Sequence, residues 1–211
     1  MLSRFRGFYE KATLPLGRAC LRLGLTPDFW TFFSILSSVV AAAMLAQGRW
    51  FWGLLLVLAT DLTDMLDGAA ARARGTPTRF GTVLDHVCDR YAEFIILGGL
   101  MASGQVDVLL IFFAATGMVM ASYVRAKAES VDHGLTCTVG LAGRQEKLIL
   151  LMVGLGVQAF GWLDTGIAWA LAIIGVVSHI TAVQRLLYSR RSLLVASPQR
   201  GEFLGLDHSG S

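Results

Sequence analysis

The sequence predicts an all-α integral membrane protein of six transmembrane helices, preceded by an amphipathic helix at the cytoplasmic membrane surface. Three observations lead there. Of the 211 residues, 55% are hydrophobic and only 16% charged, too few charges to cover a soluble domain of this length. The apolar residues fall into six stretches, approximately 29–47, 51–71, 81–102, 106–127, 143–161 and 164–186, each near the roughly 20 residues a helix needs to cross a bilayer. Positive charge is shared unevenly between the two sets of connections. With four prolines and few strand-like alternations, helices rather than a barrel satisfy the backbone.

Residues 2–13 put Leu2, Phe5, Phe8 and Tyr9 on one helical stripe, with Arg4, Arg6 and Lys11 elsewhere. Such a helix lies in the headgroup layer as a topology anchor; it is too polar for a secretory signal peptide. Leu25-Thr26-Pro27-Asp28 opens the first span, because Pro27 and Asp28 suit a first helical turn. Gly48 and Gly104 read as helix stops, and Pro77 lies where the chain turns between the second and third spans. The longest connection, about 128–142, contains Asp132, His133 and Gly134. Beyond Arg191, the residues Pro198, Gly201 and Gly205 predict a loosely ordered tail. The expected organisation is therefore one membrane domain over 1–191 and a flexible cytoplasmic tail over 192–211.

Arg4, Arg6, Lys11, Arg18 and Arg22 precede the first span, and Arg72, Arg74, Arg79 and Arg90 flank the second connection. Arg125, Lys127, Arg144 and Lys147 flank the fourth, and Arg185, Arg190, Arg191 and Arg200 close the chain. Only Arg49 falls on the other side. The positive-inside rule then predicts both termini in the cytoplasm, which an even number of spans permits. A formal net charge of +3, without interleaved basic and aromatic residues, points away from nucleic acid. Cys20, Cys88 and Cys137 have no metal-ligand spacing and read as structural.

The chemistry is concentrated in Asp64-x-x-Asp67-Gly68-x-x-Ala71-Arg72 followed by Gly81-x-x-x-Asp85-x-x-x-Asp89. Carboxylates in membrane helices are costly and mark function. Each pair stacks about one turn apart on a helix face, and the short connection predicts that the two helices are antiparallel neighbours. Two facing acidic pairs make a box for divalent cations, which take oxygen ligands. Gly68 and Gly81 allow close approach to the backbone, and the fork of Arg72 suits a phosphate. The alternative is a structural salt-bridge network with Arg72, Arg74, Arg79 and Arg90. Asp61, one turn before Asp64, reads equally as a member of the box or as a hydrogen-bonding support. His86 is expected to pack between helices.

Residues 64–89 resemble, without a gap, the signature of the CDP-alcohol phosphotransferase family. That resemblance implies six spans with cytoplasmic termini, and transfer of a phosphatidyl or related group from a CDP-linked lipid to an alcohol with loss of CMP. It implies that Asp64, Asp67, Asp85 and Asp89 surround two divalent ions, Mg2+ or Mn2+, that Asp89 is the general base, and that Gly68, Ala71, Arg72 and Gly81 line the cytidine diphosphate pocket. Asp28 departs from the family's usual asparagine after Thr-Pro. A homodimer in membrane lipid is also implied; Gly154-Leu155-Gly156 suits close packing either between copies or within one subunit.

The ends of the fourth, fifth and sixth spans are similar to the branch of the family that uses inositol phosphate. By that resemblance Ser122, Arg125, Arg144 and Arg185 bind the phosphate of the acceptor, which needs several donors in a partly dehydrated site. Lys127, Arg190 and Arg191 read as topology determinants. Gly143-Arg144-Gln145-Glu146-Lys147 departs from the Arg-Pro-Glu-Arg pattern of that branch, which leaves glycerol 3-phosphate as an alternative acceptor. The rival classes are a divalent-cation carrier, which would spread ionisable groups through the membrane depth, and a catalytically silent scaffold.

Overall fold

A computed structural model describes residues 6–75, 78–132 and 134–203; for 6–12, 27–28 and 195–203 it describes the backbone alone. The described residues form seven helices: α1 (Arg6–Arg22), α2 (Pro27–Ala46), α3 (Trp50–Ala73), α4 (Arg79–Ala102), α5 (Val108–Val131), α6 (Arg144–Ala159) and α7 (Gly166–Phe203). Local chemistry sets several boundaries. Thr26 caps α2, its hydroxyl accepting from the Phe29 N–H, with Pro27 in the first turn. Asp107 caps α5 by accepting from the N–H groups of Leu109 and Leu110 at 2.8 and 3.1 Å. Gly48 and Gly104, with φ of 69° and 66°, end α2 and α4 in the left-handed region that favours glycine.

Three helices are long and apolar enough, by composition, to cross a membrane: Phe29–Ala46, Val108–Val131 and Gly166–Leu194. Helices α3 and α4 are 24 residues each and hold the acidic residues, while α6 has 16. Helices α2, α3, α6, α7, α5 and α4 follow one another around a ring, with α1 laid against α3. The apolar core joins Leu45, Val57, Leu100, Ile111, Leu155 and Leu171, one from each helix of the ring, all at most 1% exposed. These residues cluster toward the ends joined by the α2–α3, α4–α5 and α6–α7 connections. The acids occupy the opposite end.

Helix α2 joins the two helices that carry the acids. A Cβ on Gly99 of α4 would come within 2.5 Å of Ala42 Cα and its carbonyl oxygen, so only glycine allows this approach of α4 to α2. On its other side, Thr60 Oγ1 donates to Ser37 Oγ at 3.1 Å and Ser37 Oγ to the Leu56 carbonyl at 3.2 Å, the polar stitching expected between membrane helices. The backbones of α3 and α4 do not pack closely on each other and instead share α2, while their acidic side chains meet as expected.

Two further differences concern helix ends. The amphipathic helix expected over 2–13 is helical from Arg6, the first described residue, and continues past 13 to Arg22 through Pro15. Gly17 explains its path: a Cβ there would collide with the Ala69 carbonyl, so α1 seats directly on α3. Helix α7 continues to Phe203, past the expected end of the sixth span. The predicted tail thus falls partly on α7 and partly outside the described residues, as do Pro77 and His133.

Candidate active site

Asp64 comes from α3, and Asp85 and Asp89 lie one turn apart on α4. Each offers a carboxylate oxygen, and these oxygens lie within 4.8 Å of one another. Asp67 stands outside this group. A three-residue step leaves it about 60° around the helix from Asp64, turned toward α2, where it accepts from Thr31 Oγ1 at 2.5 Å and is 7% exposed. Asp61, part-buried, is likewise outside the group of three.

Arg144, at the start of α6, reaches into the acids instead of standing only at the acceptor side. Its Nη1 lies 2.7 Å from Asp64 and its Nη2 2.8 Å from Asp89, while Nε donates to Glu93 at 3.2 Å. The same residue lines a cavity of about 720 Å3 whose wall includes Asp89, Arg90, Ser122, Arg125, Glu129 and Arg185. The structure thus brings Ser122, Arg125, Arg144 and Arg185 around one space, with Asp89 at its edge. Their donors are partly engaged. Arg125 pairs with Glu129 at 3.0 Å, and Arg185 donates to the carbonyls of Ala121 and Val139 at 2.6 and 3.0 Å. Arg185 thereby ties the α5–α6 connection to α7 and still has N–H groups to spare, since a guanidinium carries five.

On the other side of the acids, Arg72 folds over Gly68. A Cβ on Gly68 would lie 3.1 Å from Arg72 Nη1. Arg72 Nη2 donates to Thr13 of α1 at 3.1 Å, while its Nε is buried with no hydrogen-bond partner among the described residues, which leaves a donor available to a bound group. Ala71 is half-buried beside it. Gly81 serves the first turn of α4, donating its N–H to Thr78 Oγ1 at 2.9 Å. His86, expected to pack between helices, is 72% exposed at its side chain, because its place next to Asp85 turns it off the buried face.

Sequence reasoning missed Glu93, Thr31 and Thr13, and read Arg90 only as a flanking charge or a salt-bridge partner of the aspartates, whereas it pairs with Glu93. Glu93 had a readable signal: it follows Asp89 by four residues on the same face, a third acid within a span. Thr13 and Thr31 had none, since their partners are 59 and 36 residues away. Three clustered carboxylate oxygens fit a divalent cation, and Asp64, Asp85 and Asp89 would hold it.

A model of the CDP-alcohol phosphatidyltransferase family matches residues 24–181. A phosphatidylinositol phosphate synthase of Mycobacterium marinum is 40% identical over 194 residues, covering 86% of this chain and 80% of that protein. Two crystal structures of the Mycobacterium tuberculosis phosphatidylinositol phosphate synthase align with TM-scores of 0.74 at 35% identity. The one in complex with manganese and citrate matches 84% of this chain and 88% of its own; the one with CDP-DAG bound matches 85% and 94%. Fold and site together define a membrane enzyme with a carboxylate centre between a partly buried arginine and a cationic cavity. The chain belongs to the CDP-alcohol phosphatidyltransferase family and is a CDP-alcohol phosphotransferase.

Proposed function

We propose that this protein transfers a phosphatidyl group from CDP-diacylglycerol, or a similar CDP-linked lipid, to a hydroxyl of inositol phosphate, releasing CMP in phospholipid biosynthesis. The single observation behind this reading is the position of Asp89. It belongs to the carboxylate cluster and is also part of the wall of the cavity that holds Ser122, Arg125, Arg144 and Arg185. A hydroxyl held in that cavity by its own phosphate would present its proton to Asp89. The cavity's cations suit a dianionic acceptor, and the relatives named for phosphatidylinositol phosphate support inositol phosphate over glycerol 3-phosphate.

Asp64, Asp67, Asp85 and Asp89 are the proposed surroundings of two divalent ions, magnesium or manganese, with Asp67 kept in place by Thr31. Bound there, the ions would offset the charge of the donor's diphosphate and of departing CMP. Gly68, Ala71, Arg72 and Gly81 would face the cytidine diphosphate, with the unpartnered Nε of Arg72 as the donor to a phosphate oxygen. Asp89 takes the proton of the acceptor hydroxyl. The hydroxyl oxygen forms the new bond to the lipid-bearing phosphorus, and the bond from that phosphorus to the CMP oxygen breaks.

The same reading makes residues 1–191 one membrane domain of six spans and places both termini and the site at the cytoplasmic face. The grouping of Arg18, Arg72, Arg79, Arg125 and Arg190 at the acidic end, against Arg49 at the other, supports it. A homodimer rests on family likeness; Gly154 does not add to it, since it packs on Gly166 and Ala170 of the same chain. The test is CMP release by purified protein given CDP-diacylglycerol, Mn2+ or Mg2+, and either inositol phosphate or glycerol 3-phosphate. Turnover with inositol phosphate is expected. Preference for glycerol 3-phosphate would overturn the acceptor, and no release with either would reopen the cation-carrier reading.

A further inference from the structure

Glu93 is a carboxylate in an apolar helix, 6% exposed and outside both the acidic cluster and the large cavity. It lies one turn beyond Asp89 on α4 and accepts from two arginines. Arg90 Nη1 reaches it at 2.7 Å and Arg144 Nε at 3.2 Å. Arg90 in turn donates from Nη1 to Ser122 Oγ of α5 at 3.3 Å. A buried charge of this kind is held only by strong compensation, and here both ion-paired groups are residues of the cavity wall, with buried Lys147 nearby. Arg90, Ser122 and Arg144 all line the cavity, whereas Glu93 lies behind them. The residue therefore links α4, α5 and α6 at the acceptor side.

The geometry at Arg144 gives that link a purpose. Glu93 holds the guanidinium by Nε, leaving Nη1 and Nη2 on the acids. Any cation bound by Asp64 and Asp89 competes with those two nitrogens for the same oxygens. Released from the acids but still held at Nε, the fork stays at the junction of cluster and cavity with two donors free for a phosphate.

We infer that Glu93 is a positioning residue for the phosphorylated acceptor, acting by holding Arg144 and Arg90 from behind. This rests on the acceptor reading above, applied to either phosphorylated alcohol. Two variants test it in the full-length protein: Glu93→Gln removes the charge, and Glu93→Asp keeps it but withdraws the carboxylate by one methylene. Three quantities are compared with wild type: KM for the acceptor, KM for CDP-diacylglycerol, and Mn2+ binding without substrates, followed by electron paramagnetic resonance. Losing a charge-assisted contact to each arginine is expected to raise acceptor KM about tenfold in Glu93→Gln, and less in Glu93→Asp. Donor KM should stay within about twofold, since neither contact belongs to it, and Mn2+ binding should not weaken, since a loosened Arg144 competes less for Asp64 and Asp89. A merely structural role would shift all three together, and that result overturns the inference, as does unchanged acceptor KM in both variants. Wild-type protein that forms no product with either phosphorylated alcohol overturns the acceptor reading and this inference with it.

Discussion

Asp89 touches two environments: it shares the carboxylate cluster with Asp64 and Asp85, and it belongs to the wall of the cationic cavity. Replacing it by Asn keeps the shape but removes the proton acceptor. Asp89→Asn should lower the rate of CMP release about 100-fold or more, the usual contribution of a general base, as measured by steady-state turnover. Unchanged release would remove Asp89 from that role. At this scale the sequence was informative about membership and poor about direction. Spacing placed four acids at one end of two helices, yet Asp67 turns toward Thr31 and Arg144 turns into the acids. Side-chain direction depends on which neighbouring helix each face meets, and a helical period does not name the neighbour. Thr31→Val tests the support given to Asp67. It should destabilise the protein by about 1–3 kcal/mol by removing the hydroxyl that Thr31 donates to a buried carboxylate, read as a lower thermal unfolding temperature in detergent.

The helices themselves were largely legible, because long apolar runs bounded by Gly48, Gly104 and Thr26-Pro27 carry their own limits. The ends of α1 and α7 were not. Past residue 13, α1 carries Pro15 and Gly17, which read as helix breakers, and past residue 186, α7 turns polar, so neither extension shows a clear apolar period. Packing partners were the other gap. A short α3–α4 connection suggested a direct pair, whereas small residues on α2 and α4 bring those two together. Gly99→Val should therefore push α4 off α2, costing about 1–3 kcal/mol from overpacking. Because α4 carries Asp85 and Asp89, the same change should also weaken Mn2+ binding. Loss of thermal stability with intact Mn2+ binding would mean that α4 holds its acids independently of α2.

For the whole molecule, orientation and metal dependence are the properties to test. Gln105→Cys, at the exposed α4–α5 connection, should react in intact cells with a membrane-impermeant maleimide. Ser130→Cys, at the end of α5 proposed to face the cytoplasm, should react only after permeabilisation. The opposite pattern would invert the positive-inside assignment. Chelation of divalent ions should abolish CMP release, and Mn2+ or Mg2+ should restore it; release that persists in chelator would contradict the role of the carboxylates.

The outward faces of the two helices that carry the acids have a consequence for how substrate arrives. They carry exposed apolar residues, Leu58 and Leu62 on α3 and Phe80 and Val83 on α4. Faces of that kind lie against lipid, so the proposed donor can diffuse in two dimensions and keep its acyl chains in the bilayer while its headgroup reaches the acids. The proposed acceptor comes from water. Turnover should then follow the mole fraction of donor in the membrane, not its bulk concentration, and adding inert lipid at fixed total donor should slow the enzyme.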